Sequence, residues 1–285
     1  MVNQSPRHPS VRIFIKQASK DSSQALEAVV TTRKLVSFFM DKKFLTALPV
    51  YNEAQTVNQV LDQVTWYSRD VLVVDDGSND GTSELLAQRD DIIVETHPQN
   101  RGYGAALMTA FQYAIDHGYD YLVTIDCDGQ HEPQRIRQFV NACHTSDADM
   151  VSGSRYLKSF DADTAPPEER RRINHEVTKT LNKALDLKLT DAFCGFKAYS
   201  TDALKKLEIT DTGYAMPLEL WVQAACQKLS IVEVAVPLIY LDETRTFGGH
   251  LDDGDTRLKH YYDVINRALA KLPNDCEKIK GERVG

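Results

Sequence analysis

The sequence predicts an α/β fold in which a mostly parallel sheet is covered by helices on both faces. Three observations carry that prediction. Short apolar runs alternate with helical segments four times between residues 44 and 152. The acidic and glycine-bearing motifs follow those runs directly, where the carboxyl ends of strands hold ligands. The chain of 285 residues is 42% hydrophobic and 26% charged, enough for one large domain with a packed core.

The elements follow in order. Residues 1–20 are polar and are expected to be mobile. Ser22–Met40 reads as an amphipathic helix with Leu26, Val29, Val30, Leu35, Phe38 and Phe39 on its apolar side. Packing on the domain is favoured over subunit pairing or lipid contact as its use. Strands are expected at Phe44–Leu48, Val71–Val74, Ile92–Glu95, Tyr121–Ile125 and Met150–Ser152. Helices are expected to start near Glu53, Ser78, Gly104 and Pro133. A helix over 168–188 repeats Ile173, Val177, Leu181 and Leu185 every four residues, flanked by Arg170, Arg171, Arg172, Lys179, Lys183 and Lys188. A strand near Phe193–Tyr199, a helix around Pro217–Lys228, a strand at Ile231–Val236 and a helix at Thr256–Leu272 complete the pattern. The organisation read from it is an extension over 1–42, one domain over 43–273 and a flexible tail over 274–285.

The net charge of −8, from 33 basic and 41 acidic side chains, argues against a nucleic-acid partner. No apolar run reaches the ~18–20 residues of a membrane span, and the amino terminus does not resemble a signal peptide. Five cysteines without a C-x-x-C pair imply neither a disulfide framework nor a zinc site. Reduced thiols in a cytoplasmic protein are expected. The basic helix allows peripheral contact with the inner membrane face, and a homodimer is compatible with the chain.

Asp126-Cys127-Asp128-Gly129-Gln130-His131 is the strongest motif. Two carboxylates one residue apart at a strand end, with the Gln130 oxygen nearby, are hard donors suited to Mg²⁺ or Mn²⁺ on a diphosphate. A solvated acidic turn is the plain alternative. Asp75-Asp76-Gly77-Ser78 ends another strand and offers carboxylates to the ring N–H groups of a base, or a helix cap from Ser78 or Asp80. In Pro49-Val50-Tyr51-Asn52-Glu53, Tyr51 can lie against a base, Glu53 can reach ribose or base donors, and Asn52 can cap a helix. Asn100-Arg101-Gly102-Tyr103-Gly104 lacks the third glycine and the position of a dinucleotide fingerprint, so its glycines are read as permitting close backbone approach to a nucleotide.

Pro-x-Tyr-Asn-Glu, Asp-Asp-Gly-Ser, Asn-Arg-Gly-x-Gly-x-Ala and Asp-x-Asp-Gly-Gln, in this order, resemble the inverting family-2 glycosyltransferases of the GT-A fold. Gly153-Ser154-Arg155-Tyr156 and Asp191-x-x-Cys194-Gly195-Phe196-Lys197 are similar to the polyprenyl-phosphate branch, the dolichol-phosphate mannose synthases. The likeness spans about residues 44–245. It implies a nucleotide-sugar donor of the GDP-mannose or UDP-glucose type and transfer of its hexose to a polyprenyl phosphate. It further implies that Pro49, Tyr51, Glu53, Asp75, Asp76 and Gly104 hold the nucleoside. Asp126, Asp128 and Gln130 would hold metal and diphosphate, and Arg155 and Arg245 the phosphates. Asp128 carries the catalytic role in this reading. Arg155 in a surface ion pair is the plain alternative.

The chain departs from the branch in two places. Arg245-Thr246-Phe247-Gly248-Gly249-His250 lacks the Ser and Lys that usually close the motif. Asn174 and Thr178 stand where the branch places an Arg and a Ser. A sugar or small-molecule hydroxyl is therefore a second acceptor class, and it would need a carboxylate base, for which Glu219 is the candidate. Orientation of a cation is the other reading of Glu219. A non-catalytic nucleotide-sugar-binding module is the alternative from another class.

Overall fold

In the computed structural model the strands, in chain order, are β1 (Phe44–Val50), β2 (Asp70–Asp75), β3 (Ile93–Thr96), β4 (Tyr121–Thr124), β5 (Met150–Ser154), β6 (Lys197–Ser200) and β7 (Ile231–Ala235). The structure describes residues 42–241 and 249–273, with Cys276 and Val284. The expected helix at Ser22–Met40 and the expected phosphate ligand Arg245 lie outside the described residues. The strands form one sheet in the order β3-β2-β1-β4-β6-β5-β7. β1 pairs in parallel with β2 and β4, β2 with β3, and β5 with β7. Only β6 runs against its neighbours β4 and β5.

The helices are α1 (Val57–Tyr67), α2 (Thr82–Leu86), α3 (Tyr103–Asp116), α4 (Ile136–Ser146), α5 (Glu168–Leu185), α6 (Thr201–Leu204), α7 (Met216–Cys226) and α8 (Gly254–Lys271). The two faces of the sheet follow from the period of two along each strand. Leu45, Ala47, Leu72, Val74 and Leu122 belong to the core under α3, α5, α7 and α8. Leu48, Val50, Val71, Val73 and Val123 belong to the core under α1 and α4. Because both faces are covered, β2 reads as the continuous run Val71-Leu72-Val73-Val74 rather than an alternating one. Among the described residues no helix is long and apolar enough to cross a membrane.

Among the expected boundaries that moved, which include the helix start expected near Ser78 and found at Thr82, two have a clear local reason. The first helix begins at Val57, not near Glu53, since Asn52 takes φ +55° and the next amides are used elsewhere. Asn52 N–H donates to Ser78 Oγ (2.9 Å), Glu53 N–H to Thr82 Oγ1 (2.9 Å) and Ala54 N–H to Asp80 Oδ2 (3.1 Å). Asn52 is thus a stitch between the loops after β1 and β2, not a helix cap. The strand expected from Phe193 starts at Lys197, because Thr190–Phe193 are drawn into side-chain bonds. Glu233 Oε1 accepts the Thr190 and Asp191 amides at 2.9 and 3.2 Å, and Asp191 Oδ1 accepts the Phe193 amide at 3.0 Å.

The cysteine expectation also needs correction. Cys127, Cys143 and Cys194 are free and buried, but Cys226 and Cys276 form a disulfide with Cα atoms 5.4 Å apart. Spacing in sequence carried no sign of it, since the partners lie 50 residues apart.

Candidate active site

A cavity of about 710 Å³ opens at the carboxyl ends of the parallel strands. One side is built by loops after β1, β2 and β4: Pro49, Tyr51, Glu53, Asp76, Asp126 and Asp128 line it, with Gln130 and His131. The other side comes from the end of β5, from α5 and α8, and from residues 238–240 after β7. It carries Arg155, Arg170, Arg257, Ile173, Tyr240 and Tyr261. β2, β1 and β4 are neighbours in the sheet, and β5 and β7 lie beyond β6.

Asp126 is half-buried and is gripped on both oxygens. Tyr103 Oη donates to Oδ1 at 3.0 Å, and His131 Nε2 lies 3.1 Å from Oδ2. Burial raises its carboxyl, but the His131 and Tyr103 contacts and the Lys197 charge outweigh that and hold it below the ordinary range. Asp128 moves the other way, raised by burial and then by the Asp126 charge, while its Oδ1 accepts the Gln130 amide at 3.0 Å. Among the described residues no group of three or more His, Cys, Asp or Glu side chains is gathered for a metal ion. The expected set consists instead of two carboxylates and an amide oxygen. A charged Asp126 that opposes the ionisation of Asp128, with hard oxygen donors alone, fits a divalent cation of the Mg²⁺ or Mn²⁺ kind.

β6 delivers the support beneath this pair. Because it runs antiparallel, the residues before it sit at the carboxyl ends of β4 and β5. There Gly195 packs directly on the Asp126 carboxylate, with no room for a Cβ. Lys197 is buried, its ammonium bonded to the Cys194 carbonyl and 5.2 Å from the Trp221 ring centre. Burial lowers its pKa.

Arg155 lies against Asp191, Nε to Oδ2 at 2.7 Å and Nη2 to Oδ1 at 3.0 Å. Asp191 is wholly buried and held well below the usual carboxylate range, since Arg155, with Asn174 and backbone amides, outweighs the opposing effect of burial. Asn174 Nδ2 donates to Asp191 Oδ1 at 2.9 Å, and Thr178 Oγ1 to Asn174 Oδ1 at 3.0 Å. The unexpected Asn174 and Thr178 are therefore internal supports for Asp191. The Arg155 pair is half inside the cavity, not on the surface.

Three expected site residues sit elsewhere. Asp75 is wholly buried and does not line the cavity; its oxygens accept the Ser78 amide (3.0 Å) and the Ser83 hydroxyl (2.5 Å). Gly104 also stays off the cavity wall, and its missing Cβ makes room for the Asp211 carbonyl and Met216 rather than a nucleotide. Glu219 lines a separate small cavity beside Arg267 and Lys271. Its Oε2 accepts the Thr210 and Asp211 amides at 2.8 and 2.6 Å, and its Oε1 the Thr210 hydroxyl at 2.8 Å. It fastens a loop and neither faces the reaction cavity nor orients Arg155.

Asp76 does line the cavity, but its oxygens accept the Arg101 and Gly102 amides (2.9 and 2.7 Å) and contact His97 Nδ1 at 2.6 Å. Sequence reasoning passed over Tyr214, which stacks on Tyr103 with ring centres 5.7 Å apart, and Arg257 and Tyr261 on the closing helix. Tyr103 lay within a recognised glycine motif. Nothing local marked the other three, because tertiary packing alone brings α8 and the 210–214 loop to the cavity.

The model of "Glycosyl transferase family 2" matches residues 46–208. An undecaprenyl-phosphate mannosyltransferase of Micrococcus luteus is 32% identical over 220 residues, covering 73% of this chain and 88% of the relative. A polyprenol monophosphomannose synthase of Mycolicibacterium smegmatis is 30% identical over 206 residues, 68% and 77% of the respective chains. Glucosyl-3-phosphoglycerate synthase of Mycobacterium tuberculosis, solved with Mn²⁺, UDP and phosphoglyceric acid, superposes with a TM-score of 0.64 at 19% identity over 85% of this chain and 83% of that one. That likeness gives the fold, which is GT-A. The chain is a member of glycosyl transferase family 2, and it is a glycosyltransferase.

Proposed function

We propose that the chain transfers a hexose from a nucleoside-diphosphate sugar to a polyprenyl phosphate with inversion at the anomeric carbon. The observation that carries the reading is one cavity lined both by the carboxylates Glu53, Asp76, Asp126 and Asp128 and by Arg155, Arg170 and Arg257 with apolar side chains. The names of the two bacterial relatives, which act on undecaprenyl phosphate and polyprenol phosphate, support the same acceptor class.

In this reading Pro49, Tyr51, Glu53 and Asp76 surround the nucleoside. A divalent cation held by Asp126, Asp128 and Gln130 would neutralise charge on the departing diphosphate. Tyr103 and His131 fix the Asp126 carboxylate, and Arg155, backed by Asp191, presents its guanidinium to phosphate oxygens. An acceptor phosphate oxygen attacks the anomeric carbon while the bond from that carbon to the diphosphate oxygen breaks, and the nucleoside diphosphate leaves with the electron pair. The attacking oxygen is already anionic, so the reaction needs no strong base. Occupation of both Glu219 oxygens by the 210–211 loop favours this acceptor over a hydroxyl activated by that residue.

The test is transfer by the purified full chain from a panel of GDP- and UDP-sugars to a short polyprenyl phosphate, with and without Mn²⁺. The expected result is a lipid-phosphate sugar from one donor, formed only with metal. Transfer solely to a hydroxyl acceptor, or donor binding without turnover, would refute it.

A further inference from the structure

We propose that the chain takes a uridine diphosphate sugar in preference to a guanosine one, and that His97 sets this choice through Asp76. The inference rests on the nucleotide-sugar reading above and names the base within it.

An ionised carboxylate accepts at about four lone-pair positions, two on each oxygen. On Asp76 three of them are taken. The Arg101 amide donates to Oδ1 at 2.9 Å, His97 Nδ1 to Oδ1 at 2.6 Å, and the Gly102 amide to Oδ2 at 2.7 Å. Because the carboxylate has acceptors only, Nδ1 carries the hydrogen of the His97 contact. One position remains, on Oδ2. Asp76 lines the cavity with its side chain 4% exposed, an opening for a single contact.

The bases differ in what they bring to such an acceptor. Uracil presents one ring N–H between two carbonyls. Guanine presents two parallel donors, N1–H and the N2 amino group, which one carboxylate pairs only by turning both oxygens towards them. Held as it is, Asp76 would leave one guanine donor without a partner, at a cost of about ten- to hundredfold in affinity. Asn100 also lines the cavity, and a side-chain amide can donate to a ring carbonyl.

The surroundings of Asp76 oppose that turn. His97 is buried and stays off the cavity wall, with Nε2 2.8 Å from Thr109 Oγ1 on α3. Its own amide donates to the Asp75 carbonyl at 2.8 Å, which continues the pairing of β2 with β3. Gly77, at φ +72°, packs on the Gln99–Asn100 backbone where a Cβ would overlap, and so draws the loop with the two donating amides around Asp76. Rotation of the carboxylate would break these bonds in a buried place, where unpaired donors are costly. His97 is a positioning residue: it touches no donor atom and fixes the acceptor that does.

The experiment measures binding of UDP, GDP and IDP to the full chain by calorimetry with Mn²⁺ present. IDP controls for size, since its base is a purine with one ring N–H and no amino group. UDP is expected to bind at least about tenfold tighter than GDP, and GDP no tighter than IDP. His97→Ala releases Oδ1 and lets the carboxylate turn, so the preference for UDP over GDP is expected to narrow at least about fivefold. His97→Asn, whose amide can donate in place of Nδ1, is expected to keep the wild-type preference. Purely structural damage would weaken all three diphosphates alike and leave that preference unmoved. An unchanged preference in folded His97→Ala therefore overturns the role of His97. The wild-type affinities decide the base whether or not this variant folds. GDP binding as tightly as UDP, or about tenfold tighter than IDP, overturns the base assignment while transfer to a polyprenyl phosphate stands. If none of the three binds, the nucleotide-sugar reading itself falls, and this assignment with it.

Discussion

Gly195 lies flat against the carboxylate of Asp126, so near that a Cβ at position 195 would overlap both oxygens. The same carboxylate is held from its other sides by Tyr103 and His131. Gly195→Ala is not disfavoured by a positive φ; the strain comes from overlap alone, at ~1–3 kcal/mol. The displaced Asp126 is expected to lower kcat about a hundredfold, as misplacement of ~1 Å does at reacting centres. Steady-state kinetics alongside a thermal melt checks this; normal kcat would show that Asp126 tolerates the shift.

Glu219 organises the 210–213 loop, which rests on the space left by Gly102 and Gly104 and passes the Thr212 carbonyl to the Ala105 amide at 3.2 Å. Glu219→Gln replaces an acceptor with an NH₂ group facing backbone donors, at a cost of ~1–3 kcal/mol. A lower melting temperature with partial activity and an unchanged pH–rate profile is expected. Abolished transfer at an unchanged melting temperature, with one limb of that profile lost, would restore the base role.

These two cases show what sequence could and could not carry. The alternation of apolar runs gave the strands β1 to β5 nearly residue for residue, most clearly where burial on both faces leaves continuous apolar runs, in β1, β2 and β4. The motifs after β1, β2 and β4 correctly pointed to one end of the sheet. The division of labour within them was hidden. In Asp75-Asp76 only Asp76 reaches the cavity, and Asp75 turns back to Ser78 and Ser83. Gly104 was legible as a point of close approach, but the approaching group is a loop more than a hundred residues onward in sequence. Arg257 carries no local signal, since its place depends on how α8 packs.

Asp191 makes the Arg155 pair sensitive to acid. Its folded pKa is depressed, so its contribution is complete above the ordinary carboxylate range and is lost as pH falls through the lowered folded value. Asp191→Asn leaves Arg155 without its counter-charge and is expected to cost ~3–5 kcal/mol near neutrality. The gap between wild type and variant should stay constant down to about pH 5 and narrow below about pH 4. Urea melts across that range test it; a gap that widens in acid would reverse the sign.

Metal dependence gives a separate prediction from the Asp126–Asp128 pair. Chelation of divalent ions is expected to reduce transfer at least ~100-fold, with Mn²⁺ or Mg²⁺ restoring it. Asp128→Asn should impose a similar loss that added metal does not repair. Stabilisation of wild type by a nucleoside diphosphate should increase with metal present, which a thermal-shift titration reads without turnover. Full activity in chelator would dismiss the cation.

The Cys226–Cys276 disulfide closes a loop with a sequence separation of 50, joining the end of α7 to the segment after α8. Restricting the unfolded chain over a loop of this size corresponds to ~4 kcal/mol in the chain-entropy model. The intact protein purified without reductant is expected to be lighter by two hydrogens than its reduced form. Cys276→Ser or reductant should lower the melting temperature. Neither cysteine lines the reaction cavity, so kcat below the melting range should hardly change. Equal masses with and without reductant would show that both thiols are reduced, and any loss of stability in Cys276→Ser would then reflect packing of the buried side chain alone.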